Sequence, residues 1–197
     1  GTNGIITSLT IATAPFCEWY EVIIDVPSFS DAVELLLKCS NAAIHLYLCS
    51  LLEKEIVDVL PNWYGEVNNM NRLLMLVSSD GISTLRRFST LFNAKLSHIS
   101  IENSKNGKGI RELTWNHTTL HMRSSDQNWT YLQMLLPIPE INFMEQIRQK
   151  WKQDILWHLE VVRHQGAQRL AALPIVRWRN KELLEELVSD CKRLDAI

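Results

Sequence analysis

His45 and Cys49 stand four residues apart in an apolar run, a spacing that sets two metal ligands on one face of a helix. Two ligands do not make a site. With Ile44 before them and Leu46-Tyr47-Leu48 between them, they read as a core histidine and a buried thiol, and no metal is expected. His117 and His121 share a face if their segment is one continuous strand, and part company if Asn116-His117 is a turn; either way they suit a polar, half-exposed strand. Glu182, Glu185 and Glu186 gather three carboxylates, yet at the start of a helix such acids complement the macrodipole. Spacing alone groups no serine, cysteine, histidine and acid into a nucleophilic set, because such partners meet only in the fold.

The common enzyme signatures are missing: no G-x-S-x-G, no G-x-x-x-x-G-K-[ST], no G-x-G-x-x-G, no H-E-x-x-H and no C-x-x-C. Seven glycines spread over the chain leave no loop in which backbone amides approach a phosphate closely. The expectation is a chain that is not an enzyme, with no cofactor and no small-molecule substrate.

Charge placement is the least random feature. Residues 1–60 hold eight acids against two bases, whereas residues 148–181 hold eight bases against two acids. Arg148, Lys150, Lys152, Arg163, Arg169, Arg177, Arg179 and Lys181 are interleaved with Trp151, Trp157 and Trp178, the residue types that contact phosphates and stack on bases. Against a nucleic-acid face stand the formal net charge of −2 and the acidic first third, which the bases can complement within the fold. The candidate partner-binding residues are therefore Trp157, Arg163, Arg169, Arg177, Trp178 and Arg179. Trp157 falls beside the main apolar stripe of its segment and Trp178 precedes the last helix, so each is a candidate exposed anchor of the type enriched at interface hot spots.

These residues need elements to hold them. Ile5–Ala12 and Trp19–Val26 carry strand-like runs around a proline-containing turn, a plausible hairpin. Ser28 and Ser30, followed by Asp31 and Glu34, start a helix that is expected to span Val33–Leu60 and to stop at Pro61. Met70–Ser78 and Ile82–Phe92 read as shorter helices broken at Ser79-Asp80-Gly81. The stretch Lys95–Pro139 reads as an antiparallel meander: Leu96–Glu102 joined to Ile110–Trp115 by a type I′ turn at Asn106-Gly107, then Thr118–Arg123 and Trp129–Leu136. Phe143, Ile147, Trp151, Ile155, Leu159 and Val162 recur at three and four, the mark of a long helix from Asn142 towards Leu173 with a kink at Gly166. Asn180 then caps a last helix with a stripe of Leu183, Leu184, Leu187, Val188, Cys191 and Leu194.

The fold expected is α+β over residues 1–197, one domain with sub-units 1–94 (hairpin plus helices) and 95–197 (meander plus C-terminal helices). Its element order resembles longin-type domains and, from about residue 30, RWD-type domains; both are mainly protein-binding scaffolds, and the likeness is one of element order alone. Four scattered cysteines in mostly apolar patterns suit reduced thiols and an intracellular chain, nuclear or cytoplasmic. The N-terminus lacks a basic region ahead of an apolar one and reads as an artificial boundary, which leaves native targeting signals open. The longest nearly apolar run, Ala42–Leu52, is too short to span a bilayer, so no membrane insertion is expected. The function expected is a non-enzymatic protein–protein interaction or scaffolding domain of a larger protein or complex; the alternative is a DNA- or RNA-associated domain using residues 148–181.

Overall fold

The computed structural model describes residues 4–65, 69–102 and 108–197. In chain order the elements are β1 Trp19–Val26, α1 Phe29–Ser40, β2 Leu46–Leu52, α2 Lys54–Val57, β3 Asn71–Ser78, α3 Ile82–Leu91, β4 Lys95–Ile101, α4 His117–Ser125, β5 Trp129–Tyr131, β6 Met134–Leu135, α5 Glu140–Trp151, β7 Ile155–Leu156, β8 His158–His164, β9 Ala167–Ala172, β10 Ile175–Arg177 and α6 Lys181–Arg193. The chain is an α+β protein. Seven antiparallel strands lie in the order β4-β1-β3-β2-β8-β9-β6, and β5-β10-β7 form a second, small sheet.

The central strands explain where the sequence pattern misleads. All eight residues of β3 are buried, and a strand covered on both faces shows a continuous apolar run instead of an alternation. Met70–Ser78 is thus a strand, not a helix. The expected Val33–Leu60 helix breaks for the same reason. Its first part is α1, capped by Ser28, whose side chain accepts from the Asp31 amide. It ends where the Asn41 backbone and side-chain amides both donate to Leu37 O, and the apolar run that follows is the buried strand β2. The expected N-terminal hairpin is not seen: among the described residues Ile5–Ala12 has no strand partner, and β1 pairs instead with β3 and β4.

The meander is also redrawn. Leu96–Glu102 is largely β4, but its partner is β1. The Asn106-Gly107 turn lies outside the described residues, Ile110–Leu113 is one 3-10 turn and His117–Ser125 is helical. Trp129–Leu136 supplies two short strands to different sheets. Beyond Trp151 the expected helix becomes β7, the β8–β9 hairpin and β10, because Leu159, Val161, Leu170 and Ala172 alternate in strand register. Gly166 is the tip of that hairpin rather than a kink: Gln165 and Gly166 both have positive φ, 50° and 79°, as a two-residue primed turn requires. Helices α3 and α6 stand where expected, α6 with Asn180 accepting from the Leu183 amide at 2.8 Å.

One face of the large sheet is apolar. Val22, Ile24, Leu51, Leu73, Met75, Val77 and Leu159 share a core with buried side chains of α1, α3, α5 and α6. The opposite face carries Ile23, Leu52, Leu74 and Leu76 in a second cluster with Ile56, Ile110, Leu113, Met122 and Trp129, and between them lie polar side chains. Among the described residues no helix is long and apolar enough to cross a membrane.

Candidate functional site

The polar side chains of the second face form two groups. The first is built from β2, β8 and the stretch leading into α4. His158 and Glu160 are two apart on β8 and so point to one face, and Ser50 lies opposite Glu160 in the neighbouring strand. Thr114 donates to Glu160 at 2.9 Å and shares a hydrogen bond of 2.8 Å with Ser50. His158 meets Glu160 through Nε2 at 3.0 Å and Thr118 through Nδ1 at 3.0 Å. The Trp115 amide donates to the same Glu160 oxygen at 3.1 Å. Burial pushes the Glu160 carboxyl up, but the hydrogen bond and charge of His158, with the donors of Thr114 and Trp115, outweigh it and hold the group below its ordinary value.

His158 is fully buried and the Glu160 side chain is 13% exposed. The group works as a clamp. Trp115, which it grips, has φ 53°, a left-handed conformation that costs a bulky residue energy and persists only where the surroundings enforce it. Thr114 and Thr118, both buried, bracket that strained residue, and the Trp115 side chain is 41% exposed. The geometry presents an indole at the surface on a corner bolted to the sheet.

The second group lies on β1, β3 and β4. Arg72 binds Asp25 in a fork, 2.7 Å from Nε and 3.3 Å from Nη2, with both side chains buried; Ser97 also donates to Asp25. Glu21 accepts from the Tyr64 hydroxyl at 2.8 Å and from the Ile110 amide at 3.1 Å. Burial, then the Glu21 hydrogen bond, pushes the Tyr64 hydroxyl up. His98 stands edge-on to the Tyr64 ring at 4.7 Å and within 2.8 Å of Ser100 Oγ, and burial lowers its pKa.

None of these residues was a candidate in the sequence, though a signal existed. Polar residues two apart (His158 and Glu160, His98 and Ser100) are the alternation of a strand with one polar face; the first pair is hidden once β8 is read as helix, whereas the second lies in the expected strand Leu96–Glu102.

The candidates the sequence did offer are scattered. Trp157 is not an exposed anchor: it is fully buried and packs edge-on against Phe143 at 6.2 Å. Trp178 is 42% exposed, beside Arg177 and Arg179. Most of the basic stretch is occupied. Arg148 pairs with Glu53 at 2.6 Å, Lys150 with Glu186 and Asp190 at 2.6 Å each, Arg179 with Asp154 at 2.9 Å, and Arg177 with Asp126. Arg177 also lies 3.9 Å over the Trp129 ring, and Arg169 donates to Leu136 O at 2.6 Å. Among the described residues, Arg148 is the base of this stretch that forms an ion pair with the acidic first third, through Glu53. His45 precedes β2 and Cys49 lies in its middle, so they are not on a helix, and among the described residues no group of three or more His, Cys, Asp or Glu gathers as a metal site would require. Cys39, Cys49 and Cys191 are free and buried; burial pushes the Cys39 thiol up to about 12 and the Cys191 thiol to about 11.

No protein-family model and no curated protein matches the chain. Its fold is similar to solved structures of alkyldihydroxyacetonephosphate synthase in two crystal forms, with TM-scores of 0.65 and 0.63 at 9% and 8% identity. The likeness covers 91% and 89% of this chain but only 39% and 38% of those chains. At that identity it is a likeness of fold.

Proposed function

We propose that this chain is a non-enzymatic interaction domain that works as part of a larger protein, its first partner being another domain of the same polypeptide. One observation carries the reading. Ile5, Ile6, Leu9, Ile11 and Phe16 are 68–94% exposed in a segment without regular secondary structure that, among the described residues, pairs with no strand. Its Ile- and Thr-rich composition suits a strand, and a strand left without a neighbour seeks a sheet edge. The fold supports the reading from a second side, since the synthase uses the same fold as about two fifths of a larger chain. The polar clamp built on His158 and Glu160 suits it too, because it fixes Trp115 at the surface. The setting that goes with this reading is intracellular, cytoplasmic or nuclear, and the nucleic-acid alternative is weakened by the acids that already hold Arg148, Lys150, Arg177 and Arg179.

The test is a deletion of residues 1–17 from the isolated chain. Its thermal midpoint should stay unchanged, and concentration-dependent self-association, followed by sedimentation, should disappear with the exposed apolar strand. A truncated chain that melts substantially earlier would mean that the segment belongs to this domain's own core, and the reading would fall.

A further inference from the structure

β2 and β8 are neighbours in the large sheet, yet they pair only from Ser50 opposite Glu160 to Leu52 opposite His158. Beyond that rung Leu46–Cys49 of β2 and Val161–His164 of β8 diverge with no ladder between them. Their outer sides are occupied: Leu48 and Cys49 pair with β3, and Val161–His164 pair with β9. The fork therefore lies inside the sheet rather than at its rim, and a groove of about 310 Å³ fills it. Backbone amides and carbonyls along such a groove lack the partners that a strand would bring.

We propose that this fork is a docking site for an extended, acidic peptide segment of a partner protein, taken up by strand addition between β2 and β8. Side chains give the preference. Leu46, Leu48 and Val161 offer apolar walls for the alternate residues of a strand. Arg163 is the formal charge on the groove wall, His45 also lines it, and no Asp or Glu is among the lining residues. Arg163 is exposed and makes no ion pair among the described residues. It is thus placed to take a carboxylate in a forked, charge-assisted hydrogen bond. The chain's own strand-like segment is a poorer occupant, although it leaves β1 at Trp19, which packs on His45 and Tyr47 at 4.8 and 5.4 Å: residues 4–16 contain no charged side chain and leave Arg163 unmatched.

The proposal rests on the reading of the chain as an interaction domain but uses a different surface from residues 5–16. The test uses the full chain and a fluorescent, end-blocked nonapeptide of alternating Val and Thr with a central Asp, titrated by anisotropy. Saturable binding is expected, with slowed hydrogen exchange at residues 46–49 and 161–164. Arg163→Ala, at an exposed position, should leave the melting temperature unchanged and weaken binding about tenfold. Methylating alternate peptide amides on the face toward the groove should abolish it. No saturation at millimolar peptide, or equal binding of the methylated peptide, overturns the proposal. Equal or tighter binding of a peptide of residues 4–12 overturns it as well, by making the occupant the chain's own segment. A failure here, with the result of deleting residues 1–17 intact, removes the groove and leaves the docking strand standing.

Discussion

The helix-covered face of the large sheet and the face opposite are held by different physics. On the first, Val22, Leu51, Met75 and Leu159 meet Leu36, Leu85, Ile147 and Leu187 in an apolar cluster, where the attraction is roughly proportional to area and indifferent to direction. On the second, Asp25 and Arg72, Glu21 and Tyr64, and His158 and Glu160 each satisfy named atoms of a named partner. The first face tolerates best those hydrophobic substitutions that keep its volume. The second specifies which irregular segment lies on the sheet, and how, because a buried polar group that loses its partner keeps its desolvation cost.

Two experiments of similar size break the comparison open. Trp157→Ala should cost about 3–5 kcal/mol in urea unfolding, as truncation of a large core aromatic does, whereas Trp178→Ala should stay within about 0.5 kcal/mol. A small loss at Trp157 would show that the helix-covered face is not closely packed. On the polar face, Asp25→Leu alone should cost about 3–5 kcal/mol by stranding the Arg72 charge, while Asp25→Leu with Arg72→Met should recover most of the loss. If the single and double variants are equally destabilised, direction is not what holds that face.

A smaller effect sharpens the role of the clamp. Glu160→Gln should cost about 1–3 kcal/mol by weakening its bonds to Thr114, His158 and the Trp115 amide. The sign with pH follows from the lowered carboxyl. A group whose folded pKa lies below its unfolded one, 4.5 for Glu160, contributes stability that is present above pH 4.5 and is lost as pH falls through the folded value. Acid titration of the unfolding free energy should therefore show a limb below pH 4.5 that is shallower in Glu160→Gln. Identical limbs would remove Glu160 from the account. Trp115→Gly, which frees the φ of 53°, should offset part of the loss in the same background.

The two faces also differ in how far the sequence discloses them. Helices announce themselves by caps and amphipathic stripes, which is why α3, α6 and the start of α1 and α5 are legible at Ile82, Asn180, Ser28 and Phe143. Strands buried on both sides do not: Leu46–Leu52 and Asn71–Ser78 are apolar at nearly every position of their middles, and a short apolar run has no period to separate strand from helix. Coincidence deepens the error after Trp151, where Ile155, Leu159 and Val162 fit a spacing of four and three as well as they fit strands. The polar face is least legible, because Ser50, Thr114 and His158 are brought together across more than 100 residues of chain, and spacing carries no trace of that. What spacing did carry was the excess of bases over residues 148–181, without the acids that hold them.

Those acids make the smallest prediction. Arg179 and Asp154 form an exposed pair at 2.9 Å, and a double-mutant cycle with alanine at both should give under about 1 kcal/mol, because solvent screens the attraction and ordering two side chains opposes it. The same pair decides whether the basic stretch is free to meet phosphate. With Arg177 held by Asp126 and Arg179 by Asp154, binding of a short duplex near 150 mM salt should stay at the non-specific level of about 10⁻⁴ to 10⁻⁶ M. Asp126→Asn with Asp154→Asn releases both guanidinium groups without removing either, so affinity should rise and the dependence on salt should steepen by about 0.9 per phosphate newly contacted. If the unaltered chain already binds below micromolar at that salt, and charge reversal at Arg163, Arg169, Arg177 and Arg179 eliminates it, then the acids are not neutralising that surface, and residues 148–181 are a nucleic-acid face.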